Sequence, residues 1–194
     1  MTPAELETYF RGELDAFPGR AALLMAEAES GRVLHAAHPD VQVVSASTIK
    51  VPILCAALEL CRRGELSLSQ LVPIPEDRIC PDTSVFEEGN RQEAGYPLWE
   101  LLYWMIVLSD NTATNAVIRL LGYDVVNGWC RAHGLERTRL EREMLDWDAI
   151  AAGRNNYTSP ADQCRVYRLL YRGEVLTPEL RETAMDFLRR QRHM

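Results

Sequence analysis

The apolar positions of the chain follow helical spacing first, strand spacing briefly, and helical spacing again to the end. Leu6, Tyr9, Phe10 and Leu14 share one face over residues 3–16, which predicts an amphipathic helix. Thr2-Pro3-Ala4-Glu5 opens it with a cap, a proline in the first turn and an acid at the third position. Phe17-Pro18-Gly19 ends it. The apolar run Ala21 to Ala28, the turn Glu29-Ser30-Gly31 and the extended stretch Arg32 to His35 predict a β-hairpin. Val41 to Val44 then lead to a helix starting close to Ser47. In it Val51, Ile53, Leu54, Ala56, Ala57, Leu58 and Leu60 leave almost no polar face, and a helix apolar all round is a buried one.

Residues 62–97 carry Pro73, Pro75, Pro81 and Pro97 among acids and read as loop with short helical pieces, one wall of a groove. Val85-Phe86 is a candidate for the groove mouth. Leu98 to Leu108 is a second apolar helix, with Trp99, Tyr103, Trp104 and Met105 expected to pack in the core. It runs into Ser109-Asp110-Asn111, after which helices are expected over Thr112 to Leu121 and Val125 to Ala132. Residues 135–158 are polar and too long for an ordinary connector, which predicts an Ω-type loop. Ser159-Pro160-Ala161-Asp162 and Thr177-Pro178-Glu179-Leu180 open two last helices, running to about Arg172 and Arg190. The expected fold is α+β and predominantly helical. Residues 1–46 form a helix and hairpin, and residues 47–194 a helical part with the loop 135–158. A lone two-stranded hairpin is a poor end state for a sheet.

Composition narrows the function classes. A chain of 194 residues, 47% apolar and 25% charged, has enough length for a real core as one domain or two interleaved ones. The net charge of −7, with no basic cluster to offset it, argues against a nucleic-acid partner. Leu101 to Leu108 is too short to span a bilayer, so no membrane partner is expected. The acidic start Met1-Thr2-Pro3-Ala4-Glu5 lacks the pattern of a signal peptide. A cytoplasmic location is expected for the chain as given, or a periplasmic or extracellular one if an export signal was removed. Cys55, Cys61, Cys80, Cys130 and Cys164 are odd in number and scattered, giving neither a disulfide framework nor a metal site. His35, His38, His133 and His193 fall in no catalytic or ligand spacing.

The chemistry centres on Ser47-Thr48-Ile49-Lys50. Of 21 basic residues Lys50 is the one lysine, and a lysine amine, unlike a guanidinium, is able to lose its proton near neutral pH when desolvated. If Ser47 opens a helix, Lys50 three positions on lies on the same face, where a serine nucleophile needs its base. Free backbone N–H groups at the same helix start favour developing negative charge. Ser109-Asp110-Asn111 follows 62 positions after Ser47, on a turn between helices, and offers a second hydroxyl and a carboxamide. Taken singly, each motif is also what a helix cap looks like.

Together, an S-x-x-K opening a buried helix, an S-D-N some sixty residues later and a hairpin upstream resemble class A β-lactamases and related penicillin-recognising serine hydrolases. Ser109-Asp110-Asn111-Thr112-Ala113-Thr114-Asn115 is similar to that family's S-D-N-T-A-x-N. Thr138-Arg139-Leu140-Glu141-Arg142 resembles the start of its Ω loop, and Tyr157-Thr158-Ser159-Pro160 the end. The resemblance covers about residues 3–190 and implies a β-lactamase-like fold. It implies Ser47 as nucleophile through an acyl-enzyme, Lys50 as the group helping remove its proton, and Ser109 as proton shuttle to the departing nitrogen. It further implies Asn111, with Glu143 and Asn115, on the substrate side. No metal or organic cofactor is implied, and the substrate is a small-molecule β-lactam or another amide or ester.

Three departures qualify the resemblance. The family's hydrolytic glutamate falls at Met144, with Glu143, Asp146 and Asp148 nearby, so impaired deacylation is expected. The loop's Arg–Asp clamp becomes Arg142 with Asn156, which loses a charge-assisted contact. The K-T-G motif is absent, since the one lysine is already Lys50. The chain is therefore expected to be a fragment truncated before that strand, or to have its sheet completed by a second chain or dimer. The alternatives are non-catalytic binding of a β-lactam or peptidoglycan fragment, as in a degenerate homologue, and an amidase, esterase or glutaminase on the same fold.

Overall fold

A computed structural model describes residues 2–81, 85–86 and 92–192. It is predominantly helical, as the apolar spacing predicts. Helix α1 (Pro3–Ala16) starts with a full capping box: the Thr2 hydroxyl accepts from the Glu5 N–H (3.3 Å), and the Glu5 carboxylate accepts from the Thr2 N–H (2.7 Å). Strands β1 (Leu23–Ala26) and β2 (Val33–Ala37) form the expected antiparallel hairpin. Phe10 of α1 stacks on His35 of β2, ring centroids 5.6 Å apart.

Two further strand pairs, which the apolar pattern does not predict, pin the loops. β3 (Val43–Val44) pairs with β6 (Tyr157–Thr158), and β4 (Leu71–Val72) with β5 (Tyr96–Pro97). Each strand is two residues long, too short for alternation to register. The β3–β6 pair matters most, because it ties the segment just before Ser47 to the end of the 135–158 loop. The Ser45 N–H extends the tie by donating to the Asn156 carbonyl (2.9 Å).

After β3 a 3-10 turn (Ala46–Ile49) leads directly into α2 (Lys50–Arg62). Every residue of α2 from Lys50 to Leu58 is buried, as the missing polar face requires. α2 is the axis of the molecule and touches α3 (Leu98–Val107), α4 (Asn111–Leu121), α5 (Tyr123–Ala132) and α8 (Pro178–Arg189). Within the 135–158 loop lies the short helix α6 (Trp147–Ala151), and α7 (Pro160–Arg172) runs from the loop's end against β1. Ser159 and Thr177 cap α7 and α8 with their hydroxyls.

The loop reading of residues 62–97 includes 82–84 and 87–91, which lie outside the described residues, as does His193. Phe86 is buried rather than at a groove mouth, packed edge-on against Tyr96 (5.0 Å) and Trp104 (5.3 Å). Trp99, expected in the core, is 45% exposed.

Candidate active site

Ser47 is exposed on the 3-10 turn, while Lys50, one turn on, is 2% exposed. Two residues of this region sit in the left-handed backbone region without being glycine: Ala46 (φ 45°) and Ser109 (φ 55°). Such conformations cost of order 1 kcal/mol each and persist where surrounding structure holds them. At Ser109 the reversal is what aims both its carbonyl and its hydroxyl at the lysine.

Lys50 Nζ donates to the Ser109 carbonyl (2.6 Å), the Ser109 hydroxyl (2.9 Å) and the Asn111 side-chain oxygen (3.1 Å). Ser109 Oγ in turn donates to Ser47 Oγ at 3.1 Å. The structure thus brings Ser47, Lys50, Ser109 and Asn111 into one network. The lysine reaches Ser47 through the second hydroxyl, a linkage that spacing alone does not reveal. Asp110 between them is structural: its carboxylate caps α4 by accepting from the Ala113 N–H (2.7 Å).

A cavity of about 380 Å³ opens beside Ser47 and Lys50, walled by Met105, Ile106, Tyr167, Leu188 and Gln191. Burial raises the Tyr167 hydroxyl above its ordinary value. Sequence reasoning missed Tyr167, Leu188 and Gln191 as site residues. They come from α7, from α8 and from just beyond it, and only tertiary packing carries them to Ser47.

Glu143 and Asn115 have other partners. The Glu143 carboxylate takes a two-pronged bond from Arg119 of α4, at 2.8 and 2.5 Å. Asn115, 3% exposed, clamps the loop backbone: its oxygen accepts from the Met144 N–H (2.6 Å) and its amide donates to the Met144 carbonyl (3.1 Å). Met144 itself is buried in the apolar core. The expected Arg142–Asn156 clamp is divided between two asparagines. Arg142 Nε and Nη2 donate to the Asn155 side-chain oxygen (3.0 and 2.7 Å), while Asn156 bonds the backbone of Glu141 and Arg142. The Asn155 oxygen holds the guanidinium together with the Asn156 N–H, which leaves the Asn156 oxygen to the backbone N–H groups of Glu141 and Arg142. Burial lowers the Arg142 guanidinium below its ordinary value, against the pull of Asp146. No cluster of metal-ligating side chains occurs among the described residues.

Residues 5–193 match the Beta-lactamase enzyme family. The chain belongs to that family. A β-lactamase of Rhodobacter capsulatus is 34% identical over 145 residues, covering 74% of this chain and 49% of its own. An ancestral class A β-lactamase superposes with a TM-score of 0.85 at 26% identity, over 96% of this chain and 72% of that one. A variant of PBP-A, solved as its acyl-enzyme complex with penicillin G, gives a TM-score of 0.85 at 29% identity, over 98% of this chain and 70% of that one. The chain spans about half the length of the curated relatives it matches. The β-lactamase fold is therefore established, as the two motifs imply, and the small two-stranded pairs are its only sheets among the described residues.

Proposed function

We propose that this chain performs serine acyl transfer on a β-lactam or another small amide or ester, and that it acylates faster than it deacylates. The observation that carries the reading is the hydrogen-bonded line from Lys50 Nζ through Ser109 Oγ to Ser47 Oγ. Hydroxyl hydrogens rotate, so the line runs in either direction. With Lys50 as free amine, Ser47 attacks the carbonyl carbon as its proton passes to Ser109 and the Ser109 proton to Lys50. Collapse of the tetrahedral adduct breaks the C–N bond, and Ser109 returns a proton to the departing nitrogen. Asn111, which already turns its oxygen to Lys50, is the partner for the substrate's side-chain amide. The Ser47 N–H supplies one oxyanion donor, worth about 3–4 kcal/mol in a competent site.

Slow deacylation follows from Met144. Hydrolysis of the Ser47 ester needs a base to activate water, and a buried thioether accepts no proton. Glu143 next to it is held by Arg119, and Asn115 is a positioning residue for the loop in this reading rather than a substrate ligand. The PBP-A neighbour, captured as a penicillin G acyl-enzyme, lends support by likeness of fold. The burial of Met144 equally favours a second reading, in which the long-lived adduct itself is the output and the chain is a β-lactam binder.

Incubation with penicillin G and with a chromogenic cephalosporin, followed by intact mass and absorbance, tests both. A stoichiometric adduct lost in Ser47→Ala, with slow release, is the expected result. Rapid turnover sinks the Met144 argument, and absence of an adduct with any acyl donor sinks acyl transfer.

A further inference from the structure

A second groove, of about 590 Å³, opens between the hairpin, the start of the 135–158 loop and α7, and it shares no wall residue with the Ser47 cavity. Charges of both signs line it: Arg137, Arg165 and Arg168 against Asp40, Glu136 and Asp162. Asp162 is committed to the fold, since its carboxylate accepts from the Arg137 N–H (2.8 Å) and from the Thr138 hydroxyl (2.7 Å). The side chains of the other five form no ion pair, with one another or with any other group among the described residues. Arginines elsewhere on the surface do find carboxylates, as Arg119, Arg139, Arg172 and Arg189 show.

Opposite charges that line one groove without touching leave room for a molecule between them. Two of the guanidiniums are already fixed in place. Arg165 Nε donates to the His133 carbonyl (2.6 Å) and Arg168 Nε to that of Ala28 (3.3 Å), while their terminal nitrogens have no acceptor among the described residues. Gly134 admits the first of them: its φ is +71°, and a Cβ there would lie 3.0 Å from Arg165 Nε. Three positions apart on α7, the two forks share one helix face, an arrangement suited to a carboxylate. The formal charges of the six lining groups cancel, which favours a ligand carrying both signs over a bare anion or a polyamine. The volume lies within the usual range of small-molecule sites, about 300–1,000 Å³. We propose that this groove binds a small zwitterion of the amino-acid class, a free amino acid or short peptide. Arg165 and Arg168 take its carboxylate, and Asp40 and Glu136 balance its ammonium. The groove stands apart from Ser47, so binding there does not depend on the acyl-transfer reading.

Titration calorimetry of the full chain with alanine, dialanine and trialanine tests this, at low salt because an open groove is screened. At least one of the three is expected to bind at a single site with millimolar affinity or better. Its N-acetylated and C-amidated forms, each lacking one charge, are expected to bind at least about tenfold more weakly, the usual effect of losing a charge-assisted hydrogen bond. Arg165→Gln, at an exposed position, should no longer distinguish the free ligand from its C-amide, and Asp40→Asn should no longer distinguish it from its N-acetyl form. Melting transitions and penicillin labelling of Ser47 are expected to stay unchanged in both variants. If Arg165→Gln lowers the melting transition, Asp40→Asn alone decides. Absence of binding by all three zwitterions overturns the proposal. So does inorganic phosphate or the N-acetyl form binding as tightly as the free ligand, which would mark a bare anion site. Undiminished affinity and discrimination in the variants overturns it as well.

Discussion

At the scale of single residues the site rests on Lys50 being a lysine. Arginine keeps the positive charge but not the removable proton, and its fork does not fit three acceptors gathered around one nitrogen. Lys50→Arg is therefore expected to slow adduct formation at least about 100-fold, the usual reach of a lost general base, as read by intact mass over time. Met144→Glu probes the other half-reaction. A carboxylate placed where the side chain is 9% exposed costs of order 1–3 kcal/mol of stability and has its pKa raised by burial. The same change gives the acyl-enzyme a water-activating base, so the lifetime of the penicillin adduct is expected to fall at least tenfold. That Ser47, Lys50, Ser109 and Asn111 share one network was legible in the sequence because two hydroxyls, an amine and an amide stand in two short motifs at helix starts. Tyr167 and Leu188 were not, since an aromatic and an aliphatic residue in amphipathic helices look the same whether they wall a core or a catalytic cavity.

At the scale of elements the long loop is held by a few polar contacts rather than by apolar packing alone. Asn115 makes both of its backbone bonds to Met144 with near-complete burial, so Asn115→Ala leaves a buried N–H and a buried carbonyl unsatisfied. The expected loss is about 2–4 kcal/mol by chemical denaturation, two groups at roughly 1–2 kcal/mol each. The Arg119–Glu143 pair has side chains 30% and 25% exposed, so Arg119→Ala is expected to cost only about 1 kcal/mol, less at high salt. The comparison separates a buried clamp from a solvent-screened one on the same stretch of loop. This element was readable in outline: polarity and length mark residues 135–158 as an Ω-type loop. Its fastening was not, because the β3–β6 pair and the Asn155–Arg142 contact join positions whose local patterns carry no trace of each other.

At the scale of the molecule a helical core built on α2 carries the α1–hairpin unit on its outside. The core was legible because burial writes itself into the sequence as an unbroken apolar run, from Val51 to Leu58. The attachment of the hairpin was not, for it depends on arginines of α7 reaching its turn. Arg172 donates to the Glu29 carbonyl (2.9 Å) and Arg168 to that of Ala28 (3.3 Å). Gly31 is needed at that turn twice over: its φ is +75°, and a Cβ there would meet the Arg168 guanidinium. Gly31→Ala should therefore strain the turn and displace Arg168, at about 1–2 kcal/mol. If the hairpin opens as a unit separate from the core, native-state hydrogen exchange will show that loss in β1, β2 and α1 while the slowest amides of α2 keep their protection. Equal losses in α2 would mean that hairpin and core unfold together.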